Sequence, residues 1–540
     1  MPRNVVWSGL AVPVLLAAAV LVLYGLNVGR LPSYLYVDEV VFALQAHSIA
    51  TTAHDTNGRL LPLYFQMRPI GDNVWFQPLI VYFMTLFLTV LPLTESTIRL
   101  PSVVVGAIDV VLMYFIAKRI FVGQRWAIVA AMLLALTPAH FIHSRIAMDY
   151  LYPVPFVMAW LLSLLIFLER NELRMLFVAA SALGVGFFSY IASVIMMPVY
   201  LLLTWLTLFR TSTKSKRPYL VAAVGFIWPL VIAALWLSYH WSVVVETLSK
   251  YQVGTYQARA SIVAGGPLAT VLQELRRPVH FSDLTGRISL YWYFFDPSFL
   301  FLMGGYAHVV NSTRRVGIFL LPLLVFLPVG LARIATLRRT QIDRLLLLGF
   351  VSAPLAACLV VPEPYAIDRE LVLLPFAVLI ATCGVEYMWA ARQRHWRIAG
   401  VCLLALIPLH FAFFCVDYWR DYPLRSAYWF QGNRRGALEE IIAREPRDQP
   451  PAIYLETSRI LYVNAHWQLY LLKHKRQDLL QRTVYFESKS LDVQAVPARS
   501  LLLMTNDDVS AEALVERGQI RRVETFPEPG NPPAFALFQK

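Results

Sequence analysis

Two adjacent carboxylates open the run Tyr36-Val37-Asp38-Glu39-Val40-Val41-Phe42-Ala43-Leu44-Gln45-Ala46. The run has helical periodicity. Neighbours on a helix point about 100° apart, so Asp38 and Glu39 serve different partners. A carboxylate within hydrogen-bond reach of an alcohol can take its proton as the alcohol attacks. The helix dipole alone also favours an acid pair at an N-terminus, and spacing does not separate the two uses. A second group lies in His143-Ser144-Arg145-Ile146-Ala147-Met148-Asp149. Arg145 and Asp149 stand four apart, the separation at which an ion pair closes on one helical face. Arg99 opens one apolar run, and Arg369 precedes another that contains Pro375. Cations in such places can meet a phosphate or anchor a span at the membrane interface.

The elements that position these residues are set by hydrophobicity. Hydrophobic residues make up 58% of the 540 and charged residues 15%; soluble domains hold about 45–50% and about 25%. Mean hydropathy is +0.56. Apolar runs of about 17–23 residues recur from Val5 to Phe414, close to the roughly 20 that carry a helix across a bilayer. A soluble cytoplasmic enzyme is excluded. So is an outer-membrane barrel, whose strands alternate polar and apolar residues. The expected fold is a polytopic α-helical membrane protein with about 11–13 transmembrane helices. Interfacial helices outside the membrane and a small C-terminal α/β domain complete it.

Spans are expected near 5–27, 77–93, 99–117, 126–142, 151–168, 174–192, 194–210, 219–240, 316–332, 344–362, 370–391 and 398–416. Val5–Leu26 is longer than a signal-peptide core and is expected to remain as an uncleaved first span. Two polar intervals, about 28–76 and about 241–315, form large loops. The net charge of +13 sits mostly in short loops between spans. That is the positive-inside pattern, and it makes nucleic acid an unneeded partner. Arg210, Lys214, Lys216 and Arg217 form one basic loop; Arg333, Arg338, Arg339 and Arg344 a second; Arg392, Arg394 and Arg397 a third. With these loops cytoplasmic, 241–315 and the C-terminal region lie outside. Parity in the front half then requires one apolar segment not to cross, and 77–93 and 126–142 are the shortest. The four cysteines, Cys358, Cys383, Cys402 and Cys415, fall in or beside apolar segments and lack the spacing of a zinc or redox site.

Beyond about residue 417 the character changes. Ala452–Glu456, Thr483–Phe486, Leu501–Thr505 and Ala534–Phe538 are expected strands; Gly436–Arg444, Val463–Lys473 and Ser510–Arg517 are expected helices. Their alternation points to a partly parallel sheet. Within the spans, Asp109 is the clearest mid-span acid. Transporters place ionisable residues near the bilayer midplane, whereas here they gather at span ends and in the outer loops. The aromatic stretch Phe294–Gly305 is expected to lie as a helix in the membrane interface.

Several of these features together resemble the GT-C glycosyltransferases. They are the acid pair in the first loop, Arg-Leu-Pro at 99–101, Ser-Arg-x-x-x-x-Asp at 144–149, the Phe-Leu-Phe stretch, and Arg369 followed by Leu-Leu-Pro at 373–375. The chain is most similar to family 39, which includes protein O-mannosyltransferases and the aminoarabinose transferases of lipid A. The likeness spans roughly 1–416, the GT-C transmembrane domain, with 417–540 as an extracytoplasmic α/β domain. It implies transfer of a sugar from a polyprenyl-phosphate carrier to a hydroxyl acceptor on the outer face of the membrane, with inversion. Membrane lipids surround the reaction. By the same likeness Asp38 is the general base, Glu39 orients the acceptor or a metal ion, and Asp149 lines the cavity. Arg369, helped by Arg145 or Arg99, offsets charge on the phosphate, and His143 joins them in binding the substrate. The likeness fixes no cofactor, and a divalent metal ion is compatible with the set. Trp75-Phe76-Gln77-Pro78-Leu79 departs from the Glu-Lys before Pro-Pro of the aminoarabinose transferases, so their metal arrangement and lipid A activity are not implied. The loop at 241–315 is too short for the β-trefoil-like insert of eukaryotic relatives, which favours a bacterial inner membrane. A lipid-linked sugar flippase and a GT-C enzyme using a diphospholipid donor are the alternative readings.

Overall fold

The computed structural model describes residues 4–67, 74–210, 215–251, 281–305, 309–338, 340–360, 363–445 and 452–540. Among the described residues, six helices are long and apolar enough to cross a membrane: Glu95–Ile120, Asp149–Arg170, Ser193–Arg210, Arg217–Tyr239, Gln341–Leu359 and Arg394–Arg420. Six shorter apolar helices are Leu10–Gly25, Leu79–Leu88, Gln124–Ala135, Leu173–Gly186, Leu323–Thr336 and Leu373–Trp389. Every expected span coincides with one of these, and the chain is an integral membrane protein. The two segments marked as shortest both form short helices. Leu79–Leu88 has 10 residues and rises about 15 Å, half the hydrocarbon thickness of about 30 Å. Gln124–Ala135 has 12 residues; the chain then breaks and restarts at Pro138 as the short helix Pro138–His143.

Close helix packing positions the late part of the bundle. A Cβ on Gly330 would lie 1.9 Å from the Ile380 carbonyl oxygen, and one on Gly384 would lie 2.0 Å from that of Phe326. Only glycine lets Leu323–Arg333 and Leu373–Trp389 meet backbone to backbone, the device small residues provide between membrane helices.

The first large loop holds the helix Val37–Thr52. Its periodicity predicts an amphipathic helix at the interface, but its first ten residues are buried on all sides except at Asp38, and only the last turn, at Thr51 and Thr52, is exposed. The reason is coverage from two sides: the 79–88 helix packs along it, and so does Val463–His474 from the C-terminal unit. The expected interfacial helix at 294–305 is instead a 3-10 turn, Tyr291–Phe295, and a π turn, Phe299–Met303. Phe294, Phe299, Leu300 and Phe301 turn inward, and the Phe299 ring lies 5.4 Å from that of Tyr365. The stretch therefore packs into the protein. Residues 252–280 of that loop lie outside the described residues.

The C-terminal unit is a five-stranded sheet flanked by helices. Along the sheet the strands run Thr483–Phe486, Ile453–Glu456, Leu501–Thr505, Phe535–Gln539 and Arg521–Thr525. The first three are parallel, and the last two pair antiparallel. Alternation builds two cores. Leu455, Leu503 and Leu537 pack with Trp467 on one face, and Leu502, Met504, Ala536 and Phe538 on the other. The Arg394–Arg420 helix runs a turn past the expected change at 416/417, and the helix Arg434–Arg444 opens the sheet unit.

An ion cluster ties this unit to the bundle. Lys473 Nζ donates to Glu95 Oε1 at 2.9 Å and to Glu439 Oε1 at 2.8 Å, and Arg435 reaches both carboxylates. Burial works to raise the Glu439 carboxyl, but hydrogen bonds from Lys473, His474 and Arg435 and the Lys473 charge outweigh it. They hold the group at about 2 rather than the ordinary 4.5. The folded value is the lower one, so its stabilisation is complete above about pH 4.5 and drains away as pH falls toward 2. The melting temperature of the C-terminal unit, followed by calorimetry in detergent, is expected to drop through that window. Lys473→Met should flatten the drop.

Candidate active site

The site is built on a buried ion pair. Glu39 Oε1 accepts from Arg99 Nε at 2.8 Å and from the Ala147 amide at 2.9 Å. Its Oε2 accepts from Arg99 Nη2 at 3.0 Å and from the Tyr36 amide at 2.9 Å. The remaining Arg99 donors go to the carbonyls of Val28, Pro32 and Tyr34. All five guanidinium N–H groups are used, and both side chains are fully buried. Glu39 and Arg99 therefore hold the 28–39 segment, the Glu95–Ile120 helix and the 144–149 turn in one arrangement, and neither faces an open site. Breaking such a pair leaves an uncompensated buried charge, at a cost of about 3–5 kcal/mol. Arg99→Met is expected to lower thermal stability by that order. Adding Glu39→Gln should restore part of it, which a two-variant melting series reads directly.

Asp38, one residue earlier, points elsewhere and is half-buried. Burial, then the charges of Asp38 and Tyr462, push the neighbouring Tyr36 hydroxyl up to about 12. Tyr462 belongs to the C-terminal unit, so that unit reaches the rim beside Asp38. Asp149 begins the 3-10 turn Asp149–Leu151, just before the helix that Pro153 starts. Its carboxyl is buried and lies within the fields of Asp38, Asp368 and Arg369. The second 3-10 turn, Ile367–Arg369, packs against the first. Arg369 Nη1 donates to the Tyr190 hydroxyl, and its Nε lies 3.8 Å from Asp368 Oδ2. Nε itself is buried without a hydrogen-bond partner. Burial opposes the Arg369 charge, but Tyr190, Asp368, Tyr150 and Glu363 outweigh it and hold the guanidinium more firmly charged than usual. Tyr150 lies in the fields of Asp38, Asp368 and Tyr190.

Of the residues singled out in the sequence, Asp38, Asp149 and Arg369 thus come together. His143 borders them: its ring lies 6.3 Å from that of Tyr150 and it feels the Asp368 charge. His143 Nδ1 lies 2.8 Å from the Ala139 carbonyl oxygen, and Nε2 is buried without a partner. The Arg145–Asp149 pair expected from spacing is not formed. The helix ends at His143 and Met148 is extended, so the two side chains do not share a helical face. Arg145 is fully buried instead, donating to the carbonyls of Tyr24 and Leu31, with its guanidinium 5.1 Å from the centre of the Phe141 ring. Asp109 lies apart, its Oδ2 3.3 Å from His140 Nε2 inside the bundle.

Sequence reading missed Asp368, Tyr150 and Tyr190. The signal for Asp368 was the triplet Asp368-Arg369-Glu370 ahead of an apolar helix; the two tyrosines sit among apolar residues and carry no pattern. The cluster holds more carboxylate than guanidinium charge, a balance that a divalent cation would suit. Among the described residues, however, no three His, Cys, Asp or Glu side chains lie close enough to share one.

The fold matches that of two solved structures of ArnT from Cupriavidus metallidurans. The apo form is 13% identical, with 99% of this chain and 98% of that one covered and a TM-score of 0.57. The form bound to undecaprenyl phosphate is 11% identical, with 97% of each chain covered and a TM-score of 0.55. No curated protein matches in sequence. At 11–13% identity this likeness is one of fold, and it extends over nearly the whole chain. Within it, residues 76–238 match the family described as dolichyl-phosphate-mannose-protein mannosyltransferase, a segment that includes Asp149 and Tyr190.

Proposed function

We propose that this protein moves a sugar from a polyprenyl-phosphate carrier to a hydroxyl acceptor, with inversion, at the end of the bundle where Asp38, Asp149, Asp368 and Arg369 converge. That convergence, from three separate chain segments, is the observation that carries the reading. Asp38 takes the acceptor's proton as its oxygen attacks the anomeric carbon. The bond from that carbon to the phosphate oxygen breaks, and the carrier leaves as the polyprenyl phosphate. Arg369, held by Tyr190, offsets the charge that collects on the leaving phosphate. Asp368 helps keep Arg369 charged and lines the cavity with Asp149, while Glu39 and Arg99 act as positioning residues. Arg145 braces the first loop, and His143 offers its unpartnered Nε2 to the substrate.

We assign residues 1–416 to the catalytic membrane domain and 417–540 to an outer domain whose Tyr462 borders the acceptor side. The positive-inside rule puts the basic loops in the cytoplasm and the acid cluster outside. With the 15 Å helix 79–88 not crossing, the parity of the front half agrees. A bacterial inner membrane suits this arrangement.

The test is transfer in nanodiscs, with a panel of polyprenyl-phosphate sugars and a cell-envelope extract as acceptor source. Consumption of one carrier with a labelled glycan product is the expected result. A carrier that crosses the bilayer without being consumed would replace this reading with a flippase, and consumption of diphospholipid donors alone would change the donor.

A further inference from the structure

The helix Leu373–Trp389, which follows Arg369, has 17 residues and carries the chain about 25 Å away from the acid cluster. At that far end lies a crevice of about 600 Å³ between the 323–333, 373–389 and 394–420 helices. Arg333, Arg392, Gln393, Tyr387 and Trp396 line it together with apolar residues that include Val329. Arg333 is committed to the Cys383 carbonyl at 3.0 Å and to Glu386 at 2.8 Å, and its guanidinium lies 5.6 Å from the Tyr387 ring centre. Arg392 is exposed and makes no ion pair among the described residues. Tyr387 and Trp396 are 45% and 43% exposed, a large aromatic surface beside a guanidinium.

We propose that this crevice binds the headgroup of an anionic phospholipid, with Arg392 contacting the phosphate and one acyl chain lying along the apolar wall. Three features choose this occupant over a soluble one. The crevice sits about 25 Å along the Leu373–Trp389 helix from the acid cluster, close to the roughly 30 Å thickness of the hydrocarbon core. Its lining joins apolar residues such as Val329, Ala332 and Met388 to Arg333 and the exposed Arg392, the combination that suits an acyl chain and an anionic headgroup together. Its rim aromatics suit the polar–apolar boundary, where Trp and Tyr concentrate. A second crevice of about 270 Å³ has a similar lining, Arg210 and Arg344 beside Leu206, Leu345 and Leu348, at the C-terminal end of Ser193–Arg210. The proposal does not rest on the donor or acceptor of the reaction.

The experiment is native mass spectrometry of the full chain in detergent, titrated with phosphatidylglycerol, phosphatidylcholine, undecaprenyl phosphate or inorganic phosphate. Phosphatidylglycerol is expected to be retained over phosphatidylcholine. Arg392→Gln should weaken that retention about fivefold, the equivalent of about 1 kcal/mol for one basic residue at a lipid surface. Trp396→Ala should weaken it further without changing the charge, and melting in phosphatidylcholine alone should stay unchanged for both variants. Equal retention of the two phospholipids by the wild type overturns the proposal, as does an undiminished preference in the double variant. Displacement by inorganic phosphate would make this a phosphate site, and displacement by undecaprenyl phosphate alone would make it a carrier site; either result removes the phospholipid.

Discussion

Asp38→Asn is expected to lower sugar transfer by about 10²–10⁴ in kcat while leaving carrier binding nearly intact. That is the range a positioned general base contributes. The substitution is isosteric and removes only the ability to accept a proton. The helix that carries it should survive, because its anchor is the adjacent Glu39, closed on Arg99 and on the Ala147 amide. Asp38 is chosen over its neighbours for access. It is half-buried, whereas Asp149 and Asp368 are each 7% exposed, and an acceptor arriving from outside must reach its base. Undiminished transfer by folded Asp38→Asn would remove Asp38 from the chemistry.

The same pair of acids shows what the sequence could and could not reveal. Adjacency on a helix says that Asp38 and Glu39 diverge, and they do. Which one turns inward depends on Arg99, sixty residues away and invisible to local spacing. Spans were legible because the bilayer demands long apolar runs. Helix length within a run was not: 77–93 reads as one segment, yet only Leu79–Leu88 is helical. The sheet's inner strands were legible from runs such as Leu501–Thr505. The edge strand Arg521–Thr525 was not, since Arg-Arg-Val-Glu-Thr has one exposed face and little apolar content. The Arg145–Asp149 pair failed for a readable reason. The helix stops at His143 and Met148 is extended, so the chain has left the helical path that an i,i+4 pair needs before it reaches Asp149. Tyr190 could not be found locally, because its role exists only through Arg369, 179 positions later.

Arg369→Ala is expected to cost about 10²–10³ in transfer, the loss that follows removal of one preorganised charge partner of a developing anion. The loss should appear in kcat and in carrier affinity together, because the phosphate is anionic before and after the bond breaks. The side chain is held for this task. Tyr190 fixes Nη1, Asp368 stands beside Nε, and Nε is left buried with no hydrogen-bond acceptor. A phosphate oxygen is the partner that would satisfy it. Removing the cation also strips Asp149 and Asp368 of their neutralising neighbour, so Arg369→Ala could lose activity through disorder alone. Arg369→Lys separates the two causes. It keeps the charge, and so the fold, but lacks the planar fork that meets phosphate through two parallel bonds. Lysine should therefore restore the melting temperature almost fully and transfer only in part. Tyr190→Phe, which frees Nη1 without removing charge, should lower transfer by about tenfold with carrier affinity little changed, the mark of orientation lost rather than attraction. Full transfer by Arg369→Lys would reduce the role to charge alone, and full transfer by Arg369→Ala would move the phosphate site elsewhere.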